Sequence, residues 1–519
     1  MSFNSIQQEF HRRIRGDCFF DEETRERFST AACWYRIKPF GVVAPRSIED
    51  VVATVQICRE NEISITARGG ATGLAGQAVG SGIILDFTKY MNQISSVDEH
   101  SATVQPGIVL NNLSVELQKR NCWFPVDPTS MNLCTLGGMI GTNASGWHGL
   151  KYGSTKHHVD SLTAVLADGS VTTFGPPRPS IQPSGLEAKI ESLLRPHEIE
   201  IRNRFPGTKK NSSGYNLLDA TATRPADLRK LVIGSEGTLA LVVGATLKTS
   251  RMPPSSIGIL LYLPTYESTV AATLSGLTCS PAAIEILDRS YFQLRDTSDS
   301  SIAELIVPSA QTMLYFEFEL GESITAEEIL QQFADAISSV PCIESKILES
   351  ESHRQTFWKL RESVSRKINL EESYGKSSFI EDVAVPVEQM GNYLRDLQII
   401  LTRFGIEYSL YGHAGVGNIH CGTFVNLENL AHYRLIDELA SEVFALAGSL
   451  GGTITGEHGD GYVRTPHLER LYGTTIYQLF KGVKEAFDPG YVFNPGKIIG
   501  PQNTSILHDL YFSRGSYET

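Results

Sequence analysis

The residues best suited to chemistry in this 519-residue chain stand in two short glycine-studded stretches. "YGHAGVGNIHCG" (411–422) sets His413 and His420 on either side of a turn. "SLYGH" and "IHCGTF" read as two strands joined by "AGVGN", a hairpin. The β-carbons of cross-strand partners lie about 4.5–5.5 Å apart, so two imidazoles there can share one ion through bonds of about 2.0–2.1 Å. The spacing equally suits half of an active site, or two polar residues that only close a hairpin. "TGEHGDG" (455–461) adds Glu457 and His458 between glycines. A third ligand completes a metal site with positions left open for substrate.

Other glycine-rich segments would have to position something in front of these groups. "ARGGATGLAGQ" (67–77) brings Gly69, Gly70, Gly73 and Gly76 together, and backbone N–H groups in such a loop can approach a diphosphate closely. A nicotinamide fingerprint would need glycine at 68, where Arg68 stands, and a helix afterwards. Only about nine residues separate Gly73 from the strand "IILDF", so the spacing predicts a strand–loop–strand cradle instead. "PVDPTSMNLCTLGGMIGTNASGWHGLKYGS" (125–154) has little charge and many short polar side chains, which suits the wall of a flat, partly polar cofactor. "IGSEGTLAL" (233–241) is a glycine turn leading into an apolar strand.

The frame around these segments is that of a globular protein of two domains or more, since the length exceeds one hydrophobic core. Residues 47–61 read as a helix capped by Ser47, with Asp50 three residues on and Ile48, Val51, Val52, Val55 and Cys58 on one face. "MPPSS" (252–256) breaks the strand-and-glycine texture, and helical patterns follow at 324–338, 352–370, 387–404 and 429–450, with another at 475–487. The division predicted is 1–250, 251–470 and 471–519.

A net charge of −13 and the lack of a long basic run speak against nucleic acid. Eight cysteines without a CxxC pair suit reduced thiols and oppose a zinc ribbon or ferredoxin-type cluster. No stretch reads as a signal peptide or a transmembrane span, so a cytoplasmic protein is expected, with peripheral membrane contact left open.

Taken together, "RGGATGLAG", "DPTS…TLGGMIGTNASG…KYG" and "GSEGTL" resemble the FAD-binding domain of the vanillyl-alcohol-oxidase flavoprotein superfamily. With "GHAGVGNIH", "GEHGDG" and "NPGK" the chain resembles that superfamily's D-lactate, glycolate and D-2-hydroxyglutarate dehydrogenase branch. "FIEDVAVPVE" (379–388) further resembles the flavin half of fused FAD/iron–sulfur dehydrogenases. The resemblance runs from about residue 40 to 500.

It implies a two-domain α+β fold: an FAD-binding domain, then a substrate domain of antiparallel sheet and helices, with the "NPGK" segment returning toward the flavin. It implies that Arg68, Gly69, Gly70, Ala71, Thr72, Gly73 and Leu74 hold the FAD diphosphate. Pro128, Thr135, Gly137, Gly138, Gly141, Asn143 and Gly146 would line the flavin and ribityl, with Glu236, Gly237, Thr238, Leu239 and Asn494 on the far side. His413, His420 and Glu457 would bind a divalent metal, zinc or manganese. His458 would be the base and Arg361, in "FWKLRESVS", the partner of the substrate carboxylate. Relatives with covalent FAD often carry a histidine where Gly70-Ala71 stands here, so FAD is expected to be non-covalent.

The chain departs from the 2-hydroxyglutarate enzymes at three points. Ile380 replaces a lysine for the distal carboxylate, Gly422 an asparagine, and Ser365 a threonine. A smaller or apolar D-2-hydroxy acid such as D-lactate is expected. Asp460 replaces a small or apolar residue next to the base, and Trp147 and His148 fall in a segment expected near the flavin. Residues 500–519 contain no cysteine, unlike the fused relatives' cluster domains. Electrons would pass to a quinone, an electron-transfer flavoprotein or a separate iron–sulfur subunit. The rival readings are a non-redox flavin synthase of the ether-lipid (alkylglycerone-phosphate synthase) type and an idle flavin-binding partner subunit.

Overall fold

The computed structural model describes residues 3–510 except 178–182, 184, 254, 294–299, 322–324, 364–373, 427–429, 503 and 508–509. Short apolar strands open the chain: β1 (Asp17–Phe19), β2 (Gly41–Ala44), β3 (Ile65–Arg68) and β4 (Ile83–Asp86) form a sheet of order β1-β2-β4-β3. Strands β2 and β3 both run parallel to β4, which is buried along its whole length, as a strand covered on both faces must be. Residues 69–82, between β3 and β4, hold no helix, so the glycine loop follows β3 directly.

The helix Ile48–Glu60 covers this sheet through Val51, Val55, Ile57 and Cys58. It forms without the expected cap. Ser47 makes no capping hydrogen bond, and Asp50 does not reach back to it. Asp50 instead accepts from the backbone N–H of Arg15 (2.8 Å), Gly16 (2.9 Å) and Arg46 (2.9 Å), so a carboxylate satisfies three donors that a serine could not reach together.

The next sheet is antiparallel: β5 (Ile94–Val97), β6 (Ser101–Val104), β8 (Val159–Val165), β9 (Val171–Phe174) and β10 (Leu241–Lys248), in the order β5-β6-β10-β8-β9. Between its strands, β7 (Cys122–Trp123) pairs with β11 (Ser250–Arg251). A third, antiparallel sheet takes β12 (Ser255–Leu263), β13 (Ala283–Asp288), β14 (Thr312–Leu320), β15 (Glu344–Leu348), β16 (Tyr374–Ser377), β18 (Glu407–His413) and β19 (Asn418–Asn426). Their order is β15-β12-β14-β13-β18-β19-β16, and β17 (Val383–Ala384) also pairs with β19.

This sheet is buried on both faces because its strands alternate two apolar sets. Ile257, Ile259, Leu261, Ile284, Ile286, Leu314 and Phe316 share one core with the helices Tyr266–Leu277, Ala326–Ile337 and Met390–Phe404. Leu260, Tyr262, Leu287, Met313 and Tyr315 form another with Phe357 and Leu360 of the helix Glu351–Ser363. That helix carries Arg361. The expected helix 352–370 is thus described only as far as Ser363, and Ser365 lies outside the described residues. No helix among the described residues is long and apolar enough to cross a membrane.

The helix Thr474–Phe487 and the segment after it return to β3. Ile65 N donates to Val492 O, and Asn494 N to Ile65 O, each at 2.8 Å. The return is pinned by Lys484, whose buried Nζ donates to Thr238 O (2.6 Å), Phe493 O (2.9 Å) and Asp488 Oδ2 (2.6 Å). Asp488 also accepts from Val492 N (3.1 Å) and Phe493 N (2.7 Å). Removing one partner of such a pair strands the other charge, at a cost of about 3–5 kcal/mol. Asp488→Ala should therefore lower stability by about that amount in urea unfolding, and a loss below about 1 kcal/mol would show that the pair is not the pin.

Candidate active site

Both halves of the chain wall a single cavity of about 550 Å³, within the range of cofactor sites. Arg68 to Leu74 line it, with Pro128, Thr135, Gly137, Gly138, Gly141, Gly146, Glu236 and Gly237. So do Arg361, His413, His420, Glu457 and His458. The glycine loop lies against segment 133–135 so closely that a β-carbon on Gly69 would strike the Thr135 side chain, and one on Gly70 the Leu133 carbonyl. Ala71 is held left-handed (φ 54°), a strained setting for a non-glycine residue, and its carbonyl accepts Ala32 N at 3.0 Å.

Four positions expected at the cofactor do not reach the cavity wall. Leu239 is core. Thr238 donates to Ser235 O (2.7 Å) and lies 2.8 Å from the Tyr215 hydroxyl. Asn143 ends the helix Leu136–Thr142 in a left-handed turn and accepts from Lys156 N (3.0 Å). Asn494 clips loops together, donating to Gln77 O (3.0 Å) and Glu236 O (2.7 Å). The three polar ones are spent on buried backbone groups that need a partner.

The hairpin forms from β18 and β19, but the two histidines are not opposed across it. His413 faces Asn418 and His420 faces Tyr411, so the pair is diagonal on one face. Their rings are 5.2 Å apart. Gly417 makes the turn at φ 68°, where a β-carbon would collide with Val385 O. Both Nε2 atoms approach one oxygen, Oε1 of Glu457, at 3.2 Å from His413 and 3.3 Å from His420. Their other nitrogens are taken: His413 Nδ1 lies 2.5 Å from Glu285 Oε1, and His420 Nδ1 3.2 Å from Glu381 O.

The two halves of the chain match two family models: residues 39–175 the FAD binding domain, and residues 253–498 the C-terminal domain of FAD linked oxidases. The chain belongs to the FAD-linked oxidase family. It is a flavoprotein oxidoreductase of the D-2-hydroxy-acid dehydrogenase branch of the vanillyl-alcohol-oxidase superfamily. It is 29% identical to "Glycolate oxidase subunit GlcD" of Bacillus subtilis, over 89% of this chain and 90% of that one. It is 28% identical to "D-lactate dehydrogenase" of Anaerostipes hadrus, over 92% and 93%. Against "D-2-hydroxyglutarate dehydrogenase" of Pantoea ananatis it is 26% identical, and the match takes in 97% of this chain but 52% of that relative. Solved structures share the fold. An alkyldihydroxyacetonephosphate synthase superposes with a TM-score of 0.68 at 18% identity, over 96% of this chain and 86% of that one. The 4-ethylphenol oxidase of Gulosibacter chungangensis does so at 0.66 and 16%, over 96% and 97%.

The wall of this FAD-linked oxidase fits its cofactor. A β-carbon on Gly141 would find no atom nearer than 3.9 Å and one on Gly138 none nearer than 3.5 Å, so these glycines leave room for a ligand. The histidine pair fits a metal as well. His413 Nε2, His420 Nε2 and a Glu457 oxygen converge with the outer nitrogens held by acceptors, the arrangement that aims imidazole lone pairs at an ion.

Several residues at the site escaped the sequence reading. Lys210, buried, reaches Glu457 Oε2 at 2.5 Å. Burial would raise the Glu457 carboxyl, but Lys210 and His413 hold it well below the usual carboxylate range. Glu285 bridges His413 and Arg361, whose Nε donates to it at 2.9 Å while the guanidinium lies over Tyr411. Glu381 faces His458 Nδ1 from both oxygens (2.8 and 2.9 Å). Against burial, Glu381 and then Asp382 push His458 up to about 10. Trp147 lines the cavity and stacks on Trp358 (4.5 Å), whereas His148 turns to Asp127 (2.5 Å) and Glu317 (3.5 Å). The cue for the acids was an ionisable residue inside an apolar run, as in "AAIEILD" and "FIEDVAV".

Asp460 touches neither His458 nor the histidine pair. It accepts from Ser213 Oγ (2.9 Å) and Gly214 N (2.6 Å). Its neighbour Glu236 accepts from Asp460 N (2.5 Å) and Gly461 N (3.0 Å). Burial, then the charge of Asp460, raises Glu236 to about 8, while burial brings Lys497 down to about 7. An unfolded chain loses the Glu236 proton near 4.5, so between there and about 8 the folded chain holds more protons and stability falls as pH rises. Glu236→Gln removes that loss. Urea midpoints at pH 5 and pH 8 should show wild type falling relative to the variant, and parallel behaviour would reject the assignment.

Proposed function

We propose that this oxidoreductase converts a small D-2-hydroxy acid, D-lactate or one like it, to the 2-oxo acid, using non-covalent FAD and a divalent ion. The observation that carries the reading is the approach of both histidine Nε2 atoms to Glu457 Oε1 in the wall of the cavity that the glycine loop also lines. The names of the relatives, D-lactate dehydrogenase and glycolate oxidase subunit, support the substrate class.

In this reading His413, His420 and Glu457 hold the ion. Arg361 receives the substrate carboxylate with its planar fork. Among the described residues of the wall, Arg361 and Arg68 are the arginines and no lysine joins them, which favours one carboxylate over two. Ile380, where the 2-hydroxyglutarate relatives were expected to carry lysine, is packed in the core. His458, neutral when it acts, takes the hydroxyl proton as the C2 hydrogen leaves with its electron pair. A zinc or manganese ion, when bound, would make that hydroxyl more acidic and oppose a proton on His458, 3.8 Å from Glu457. FAD, when bound, would receive the hydride equivalent. Gly70 and Ala71 offer no side chain for a covalent link. The acceptor is not a nicotinamide nucleotide, and a quinone, an electron-transfer flavoprotein or an iron–sulfur subunit would suit.

Anaerobic bleaching of the flavin by D-lactate, L-lactate, glycolate and D-2-hydroxyglutarate tests the reading. Bleaching by a D-monocarboxylate, lost with chelator and restored by zinc or manganese, is the expected result. A metal-loaded yellow protein that none of the four bleaches would favour the synthase or the partner subunit instead. His458→Ala should keep FAD yet slow reduction at least about 10²-fold, and unchanged reduction would remove His458 as the base.

A further inference from the structure

We propose that Glu381 is the positioning residue behind His458, fixing which ring nitrogen is free to take the substrate proton; the inference rests on the reading just given. Its two carboxylate oxygens lie 2.8 and 2.9 Å from Nδ1. A carboxylate only accepts, so in the neutral ring Nδ1 carries the hydrogen and Nε2 keeps the lone pair. An acid that holds a histidine in one tautomer in this way has a large effect on rate without touching substrate.

Glu381 is itself held. Arg464, fully buried, donates from Nη2 to Oε1 at 2.9 Å and from Nη1 to the Gly459 carbonyl at 2.7 Å. One guanidinium therefore ties the acid to the loop that carries His458. Backbone and side chain of residue 381 act on different rings. The carbonyl receives His420 Nδ1 at 3.2 Å, and the carboxylate receives His458, with Oε2 also 3.5 Å from His420 Nδ1. Truncating the side chain leaves the carbonyl bond to His420. It also leaves Asp382 on the backbone N–H of His458 at 2.8 Å and Arg464 on the Gly459 carbonyl at 2.7 Å, so the loop keeps these two holds while the ring loses its guide.

The test is stopped-flow anaerobic flavin reduction, with the D-2-hydroxy acid that bleaches wild type, on Glu381→Ala, Glu381→Gln, His458→Ala and the Glu381→Ala/His458→Ala pair. Flavin and metal content are measured on each holoprotein. Glu381→Ala should lower the limiting rate at least about 10²-fold with substrate Kd within about threefold and wild-type flavin and metal content. The isosteric Glu381→Gln should lose about tenfold or more. Added to His458→Ala, the alanine should cost less than about twofold further, because it acts through a ring already gone. A wild-type rate in both Glu381 variants, a loss that multiplies in the double variant, or a loss of metal or flavin would overturn the proposal. His458→Ala with an unchanged rate would instead overturn the base assignment, which separates the two failures.

Discussion

The Asp382 carboxylate is fully buried and accepts from four donors on two distant parts of the chain. Oδ2 takes the backbone N–H groups of Glu457 (2.9 Å) and His458 (2.8 Å) and the Thr455 hydroxyl (2.5 Å). Oδ1 takes the side-chain amide of Asn418 (3.0 Å), the residue opposite His413 in the hairpin. Its own carbonyl accepts Gly456 N at 2.8 Å. Hydrogen bonds to an ionised acceptor are the strong ones, and inside a protein they are little weakened by water. This one side chain therefore ties the loop 455–458 directly to the histidine hairpin.

Around that anchor lies an unusual density of buried charge. Glu285, Glu381, Asp382 and Glu457 face Arg361, Lys210 and Arg464, and all seven are buried. A buried ion is tolerated only when it is paired or hydrogen-bonded, and each acid here is. Replacing such a network with well-packed apolar side chains is often neutral or stabilising, so stability alone does not account for it. Its geometry is directional: Glu285 behind His413, the Glu381 carbonyl behind His420, and the Glu381 carboxylate behind His458. Each imidazole has one nitrogen occupied and so one nitrogen to offer.

Local spacing in the sequence conveyed the hairpin and the glycine loop without a following helix, whereas the grouping of His413, His420, Glu457 and His458 came from the resemblance of their motifs to a known family. The diagonal register of the histidines was not legible, since it depends on where the turn places Gly417 rather than on the interval between them. Nor was the role of Asp50, whose partners Arg15 and Gly16 come from a segment far back in the chain. Lys210 and Glu285 reach the site from separate elements, and no spacing links either to residue 457 or 413. Conversely, Asn143, Thr238, Leu239 and Asn494 belong to the motifs and sit beside the cavity wall without being on it. A motif preserves the residues that shape a loop together with those that touch a ligand, and sequence does not separate the two.

The anchor also explains why the site needs both halves of the chain. The hairpin and loop 455–458 come from the third sheet and its connections, yet Lys210 comes from the first half and meets Glu457 at the oxygen the histidines leave open. Glu236, also of the first half, accepts the N–H groups of Asp460 and Gly461 immediately after His458. Loop 455–461 is thus gripped by Asp382 at its start and by Glu236 at its end. Over residues 457–461 both grips are made through backbone N–H groups, so the Glu457 and His458 side chains are left to face the cavity. A loop between two rigid bodies would ordinarily be the mobile part of such a fold. Two buried acidic side chains, one from each half, make it instead the place where the halves are joined.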